Sequence, residues 1–223
     1  PDLPLLLGHG SGSYGHTAAS RHGTRSGVAT PDEWRGFAEV SVIAARLNGI
    51  VLETLHAAGI PVFRVQPSAA VVCRDGAIAR FEVEPIRQAV EHGLVPLVHG
   101  DVAIDETRGG TIISTEDIFH ALALELTPGR ILLAGSYDGV LDEHANIIPR
   151  ITPASLASFR RALAGSAETD VTGGMAVKVT SMLALCQQIP GLTVHIFNGA
   201  EPGAVRQALA LETFEQGTRL EAD

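Results

Sequence analysis

The sequence predicts an α/β protein with a mainly parallel sheet and helices on both of its faces. Three observations carry that expectation. Short apolar runs of strand length (Leu5–Leu7, Leu94–His99, Ile131–Ala134, Val194–Phe197) alternate with stretches whose apolar residues recur every three or four positions. Each run is followed by glycine and polar residues, as when buried parallel strands deliver their loops to one edge. Two hairpins with glycine turns add antiparallel strands.

In chain order, Leu5–Leu7 is read as a buried strand running into the glycine-rich stretch Gly8–His16. Thr30-Pro31-Asp32-Glu33 is a capping box with proline at the first helical position. Trp34, Phe37, Val40, Ala44, Leu47, Val51 and Leu55 then mark a long amphipathic helix, closed by Gly59 and Pro61. A short strand at Val62–Val65 precedes a hairpin over Val71–Ile78 on the Asp75-Gly76 turn. Residues 84–92 form a helix ending at Gly93, and Leu94–His99 leads into Gly100-Asp101. A second hairpin, about 102–113, is expected to turn at Gly109-Gly110. Ser114 to Asp117 is a capping box with Asp in place of Glu, opening a helix to about Leu126. Ile131–Ala134 leads into Gly135-Ser136-Tyr137-Asp138-Gly139, and Thr152-Pro153 starts a helix to about Leu163. The loop Asp170–Gly174 precedes a helix with Met175, Val179, Met182 and Leu183. Val194–Phe197, Asn198-Gly199 and a helix from about Pro202 complete the pattern.

Composition narrows the function. With 45% hydrophobic and only 4% aromatic residues, the core is aliphatic. A formal net charge of −9 argues against nucleic acid or an anionic membrane as partner. No apolar run is read as a membrane span and no signal peptide is seen. Cys73 and Cys186 lie far apart in apolar surroundings, as reduced core residues of a cytoplasmic protein would. No cluster is read as a metal site. The chain starts at Pro1 rather than Met, so a further N-terminal segment is expected upstream.

The chemistry concentrates in Gly8–His16. Four glycines in nine residues let the backbone turn sharply and approach a ligand closely. Successive N–H groups of such a loop make a nest for phosphate oxygens, and His16 adds a donor that titrates near neutral pH. Gly10–Gly15 also fits the dinucleotide pattern G-x-G-x-x-G, but residues 17–30 lack the helical period that pattern requires. The hydrolase elbow G-x-S-x-G is met only with Ser11 at its first glycine, and no acid-then-histidine pair follows at strand ends. Lys178 lies one turn into the helix after Gly173-Gly174, a good pair for a polyphosphate, though a lone helix lysine is more often a solvated one. Glu116 and Asp117 at a helix start cap it or serve a site. Phosphoryl transfer needs positioning and charge neutralisation rather than a protein nucleophile, and these loops offer both.

HGSGSYGH at 9–16 resembles the HGGGSFGH loop of isopentenyl phosphate kinases in the amino acid kinase superfamily. The resemblance continues through PLVHGD at 96–101, GTIISTEDI at 110–118, DVTGGMAVK at 170–178, IFNG at 196–199 and GTRL at 217–220. It implies a three-layer αβα sandwich with a mainly parallel central sheet, and a reaction in which ATP and Mg²⁺ convert isopentenyl phosphate to isopentenyl diphosphate. It also implies one domain over 1–223, binding substrate over about 1–126 and nucleotide over about 127–223, and a homodimer. His16 matches the catalytic histidine that binds the substrate phosphate and supports transfer. Gly10, Ser11, Gly15 and Thr115 fall at substrate positions, and Gly12, Gly173, Gly174 and Lys178 at nucleotide positions. Glu116 falls where the superfamily has an aspartate organising its lysines, and Ser136 where an ATP-site aspartate is usual. The family's opening strand, lysine and Gly-Gly-Ser loop have no counterpart here. A fosfomycin-kinase-like enzyme, with a similar loop, and a noncatalytic phosphate or nucleotide sensor are the alternatives. Apolar residues of the helix at 31–58 and the hairpin at 68–80 are expected to line the pocket for a hydrocarbon tail.

Overall fold

A computed structural model describes residues 3–10, 21–158, 174–211 and 214–223. The chain divides into two compact units, Pro1–Glu125 and Leu126–Asp223.

The first unit contains β1 (Leu7–His9), α1 (Pro31–Ala57), β2 (Val62–Arg64), α2 (Pro67–Ala70), β3 (Val71–Arg74), β4 (Ala77–Phe81), α3 (Glu84–Glu91), β5 (Val95–His99), β6 (Asp101–Asp105), β7 (Gly109–Ile113) and α4 (Thr115–Leu126). β1, β5 and β2 form a parallel sheet with β5 at its centre. All five residues of β5 are buried, which explains its continuous rather than alternating apolar pattern. A second sheet has the order β4-β3-β6-β7.

α1 begins as its capping box demands. Thr30 Oγ1 accepts from the Glu33 N–H at 3.3 Å, and the Glu33 carboxylate accepts from the Thr30 N–H at 2.8 Å. Its buried face, Gly36, Val40, Ala44 and Asn48, recurs every four residues. Val40 packs on Val102 with Phe37, Ile43 and Ile112 alongside. By length and composition α1 is also long and apolar enough to cross a bilayer, which corrects the sequence reading on that point. The contacts α1 makes with β2, β5 and β6 place it as a layer on the sheets of this unit.

The first hairpin turns on Asp75 (φ 53°) and Gly76 (φ 83°), the two left-handed residues of a type I′ turn. The second corrects the sequence reading. Its turn is Glu106-Thr107-Arg108, and Gly109 and Gly110 already belong to β7. Asp105 ties both turns together by accepting from the N–H groups of Asp75, Gly76, Thr107 and Arg108 at 2.7–3.1 Å. Burial alone would raise its pKa, but those four donors together hold it below the ordinary carboxylate value.

The second unit holds β8 (Arg130–Gly135), β9 (Arg150–Ile151), α5 (Gly174–Gln188), β10 (Thr193–Asn198), α6 (Ala204–Ala210) and β11 (Thr218–Glu221), with sheet order β8-β10-β11-β9. α5 packs on β10 and β11, burying Val179, Met182, Leu183, Leu185 and Cys186. Phe197 and Phe214 meet edge to face at 4.9 Å beside Ala204 and Ala208. The helix expected from Thr152-Pro153 is present over 153–158, and its further extent lies outside the described residues. Two corrections concern strands. The first strand is Leu7–His9, two residues later than expected, and β9 and β11 were not anticipated. Five of the eight strand ladders among the described residues are parallel, as expected.

Candidate active site

In the first unit the parallel register pairs His9 with His99, so β1 and β5 end side by side. Their carboxyl ends release Gly10 and Gly100, the place where open α/β sheets bind ligands. The start of α4 is drawn to the same spot, with the Thr115 hydroxyl donating to the His9 carbonyl at 2.7 Å. This approach depends on Gly8, because a Cβ there would collide with the Phe119 ring of α4. Gly10 and Thr115, both expected at the substrate, are thereby neighbours of one residue, His9. Among the described residues no heavy atom beyond its chain neighbours lies within 4 Å of where a Gly10 Cβ would be.

Ser114 caps α4. Its Oγ accepts from the Asp117 N–H at 3.0 Å, and the Asp117 carboxylate accepts from the Ser114 N–H at 2.9 Å. Asp117 is thus a cap, while Glu116 stands half-buried in the same first turn. Two carboxylates at a helix N-terminus oppose a bare phosphate there, so an anion at this end requires a cation close by.

Beneath the end of β1 lies a polar network that the sequence reading did not anticipate. The His9 ring contacts the Gly10 carbonyl through Nδ1 (3.0 Å) and the Asn48 Nδ2 through Nε2 (3.1 Å), and it stacks on His99 at 5.6 Å. His99 is 1% exposed. Desolvation first, then the neighbouring His9 and Arg64, bring its pKa down to about 4. The Asp101 carboxylate stands 3.8 Å from His99 Nε2, too far for a hydrogen bond. It accepts instead from Gln66 Nε2 (2.7 Å), the Ser68 N–H (3.1 Å) and the Val102 N–H (2.9 Å). Burial raises its pKa against those donors. The legible signal was Asn48 itself, a polar residue continuing the buried four-residue stripe of Val40 and Ala44.

In the second unit β8 and β10 are parallel and in register from Thr193–Arg130 to Asn198–Gly135, so their carboxyl ends also coincide. Ser136 follows β8 directly and is exposed. Two residues on, Asp138 accepts from Asn198 Nδ2 at 2.8 Å, and Asn198 Oδ1 accepts from the Ala200 N–H at 3.0 Å. This strand-end carboxylate stands two residues from Ser136. Gly174 (φ 70°) opens α5 and Lys178 lies one turn in, half-buried. Ser11, Gly12, Gly15, His16 and Gly173 lie outside the described residues. Among the described residues no group of three or more His, Cys, Asp or Glu side chains is placed to hold a metal.

A family model for the amino acid kinase family matches residues 2–198. The chain belongs to the amino acid kinase family. The isopentenyl phosphate kinase of Methanothermobacter thermautotrophicus is 33% identical over 225 residues, covering 97% of this chain and 84% of that protein. That of Haloferax volcanii is 37% identical over 201 residues, covering 86% and 77%. A solved isopentenyl phosphate kinase structure superposes with a TM-score of 0.80 at 29% identity, covering 97% of this chain and 83% of that one. A substrate complex of an isopentenyl phosphate kinase, 22% identical with a TM-score of 0.75, has the same fold. The expected αβα sandwich and the resemblance to isopentenyl phosphate kinases are both borne out.

Proposed function

We propose that this kinase transfers the γ-phosphoryl group of ATP to isopentenyl phosphate, giving isopentenyl diphosphate and ADP. A phosphate oxygen of the acceptor attacks the γ-phosphorus in line, and the bond to the β-phosphate oxygen breaks as ADP leaves. The observation that carries this reading is the end-to-end similarity to isopentenyl phosphate kinases, 33% identity across 97% of the chain. The open strand end at Gly10 beside the start of α4 supports it.

In this reading Gly10, Ser11, Gly15, His16 and Thr115 hold the acceptor phosphate. Gly12, Gly173, Gly174, Lys178 and Ser136 hold the nucleotide, and Glu116 orders cationic groups. Mg²⁺ enters with the triphosphate. Held largely by the phosphate oxygens, it would neutralise their charge and would need no cage of protein side chains. The unit Pro1–Glu125 binds the acceptor and the unit Leu126–Asp223 the nucleotide. We read the protein as a cytoplasmic homodimer with no nucleic-acid or membrane partner. Cys73 and Cys186 are free, and burial pushes both thiols up to about 11, as in reduced, unreactive core residues.

The test is ADP release with isopentenyl phosphate, with fosfomycin and with no acceptor. Release that depends on isopentenyl phosphate and exceeds that with fosfomycin supports the reading. Preference for fosfomycin, or no acceptor-dependent release, overturns it.

A further inference from the structure

The carbonyl and both ring nitrogens of His9 are engaged, and the partners come from different parts of the first unit. Its carbonyl accepts from the Thr115 hydroxyl of α4 at 2.7 Å. Its Nε2 faces the Nδ2 of Asn48, a fully buried residue of α1, at 3.1 Å. Its ring lies parallel to His99 of β5, 10° between planes. Its Nδ1 stands 3.0 Å from the carbonyl oxygen of Gly10, the next residue in the chain. A carbonyl oxygen only accepts, so Nδ1 carries the proton, and Nε2 is left to accept from Asn48.

We infer that His9, as its Nδ1–H tautomer, is the positioning residue of Gly10, the first residue beyond the strand end. It turns the Gly10 carbonyl back onto the strand and away from the acceptor phosphate. Gly10 has no side chain, and among the described residues nothing stands within 4 Å of where its Cβ would lie, so its backbone is otherwise free to rotate. A carbonyl oxygen turned outward would present lone pairs to a phosphate and oppose its binding. Asn48 fixes the tautomer by donating to Nε2, in the way a hydrogen bond at one ring nitrogen sets the state of the other. The inference rests on the reading of Gly10 as part of the acceptor phosphate site.

The test uses the full chain and three variants. An asparagine amide superposes on the Nδ1 position of histidine and a glutamine amide on Nε2. His9→Asn therefore keeps the donor to Gly10, and His9→Gln loses it. The expected result is that His9→Gln and Asn48→Leu lower kcat/KM for isopentenyl phosphate by about 10–100-fold with KM for ATP unchanged. His9→Asn should retain most of the wild-type value, with a thermal midpoint equal to that of His9→Gln. Equal activity of His9→Asn and His9→Gln, or losses that simply follow thermal stability, would overturn the inference. ¹⁵N NMR of histidine-labelled protein separates this from the kinase reading. If the wild type fails to phosphorylate isopentenyl phosphate, the kinase reading fails. The inference then stands on an Nδ1–H signal for His9 and a Gly10 amide shifted in His9→Gln but not in His9→Asn. An Nε2–H signal overturns it.

Discussion

Among the described residues nothing crowds a Cβ at Gly10, whereas Gly8 two residues earlier is pressed against Phe119, so the two glycines should respond differently to a methyl group. Gly10→Ala is expected to keep the thermal midpoint within a degree or two while reducing turnover, because its Cβ takes space that the acceptor phosphate would use. Gly8→Ala should lower the midpoint clearly, since α4 must shift. Parallel thermal melts and kinetics decide both. Lys178→Met is expected to reduce kcat/KM for ATP on the order of 10²–10³-fold, the usual effect of losing one donor to developing charge. Unchanged ATP kinetics would make Lys178 an ordinary helix lysine. His99 sets a pH dependence of stability. Its folded pKa of about 4 lies below the ordinary 6.5, so between these values the unfolded chain holds a proton that the folded chain does not. Its contribution is full above 6.5 and is lost as pH falls toward 4. Urea unfolding at pH 7 and pH 4.5 should show wild type losing stability relative to His99→Phe, on the order of 3 kcal/mol at most. Parallel pH profiles for the two proteins would contradict the assignment.

At the scale of elements, the capping box of α1 closes the turn that brings the segment 21–30 into the helix. Thr30→Ala should lower stability by about 1 kcal/mol, read from urea unfolding, with no effect on KM for either substrate. Gly109 sits at φ 77°, where a Cβ would meet the Val28 carbonyl. Gly109→Ala should therefore destabilise by about 1–3 kcal/mol or more. Elements of this kind explain what the sequence made legible. The boxes at Thr30 and Ser114 span four residues each, so their partners lie within reading distance. β5 and β10 are long apolar runs bounded by glycine. β9 and β11 escaped because they have two and four residues, and Thr218-Arg219-Leu220-Glu221 alternates without an apolar run. The glycine pair of the second hairpin misled because Gly109 serves a close approach to Val28 rather than the turn. The network of His9, Asn48 and His99 joins residues 39 or more apart in sequence, a proximity that only folding creates.

At the scale of the molecule, β1 and β5 of the first unit and β8 and β10 of the second run out into glycine, and in the first unit the start of α4 is held at that strand end through Thr115. The first offers Gly10 beside Thr115, and the second offers Ser136 and Asp138 with α5 opening at Gly174. In the proposed reading the first of these strand ends takes the acceptor phosphate and the second the triphosphate, the two groups that phosphoryl transfer joins. The most direct measurement of that claim is ³¹P NMR of the product formed from ATP, Mg²⁺ and isopentenyl phosphate. The account predicts that the acceptor's monophosphate resonance is replaced by the paired, coupled resonances of a diphosphate ester, in step with ADP. An unchanged monophosphate resonance while ATP is hydrolysed to ADP and free phosphate would contradict it.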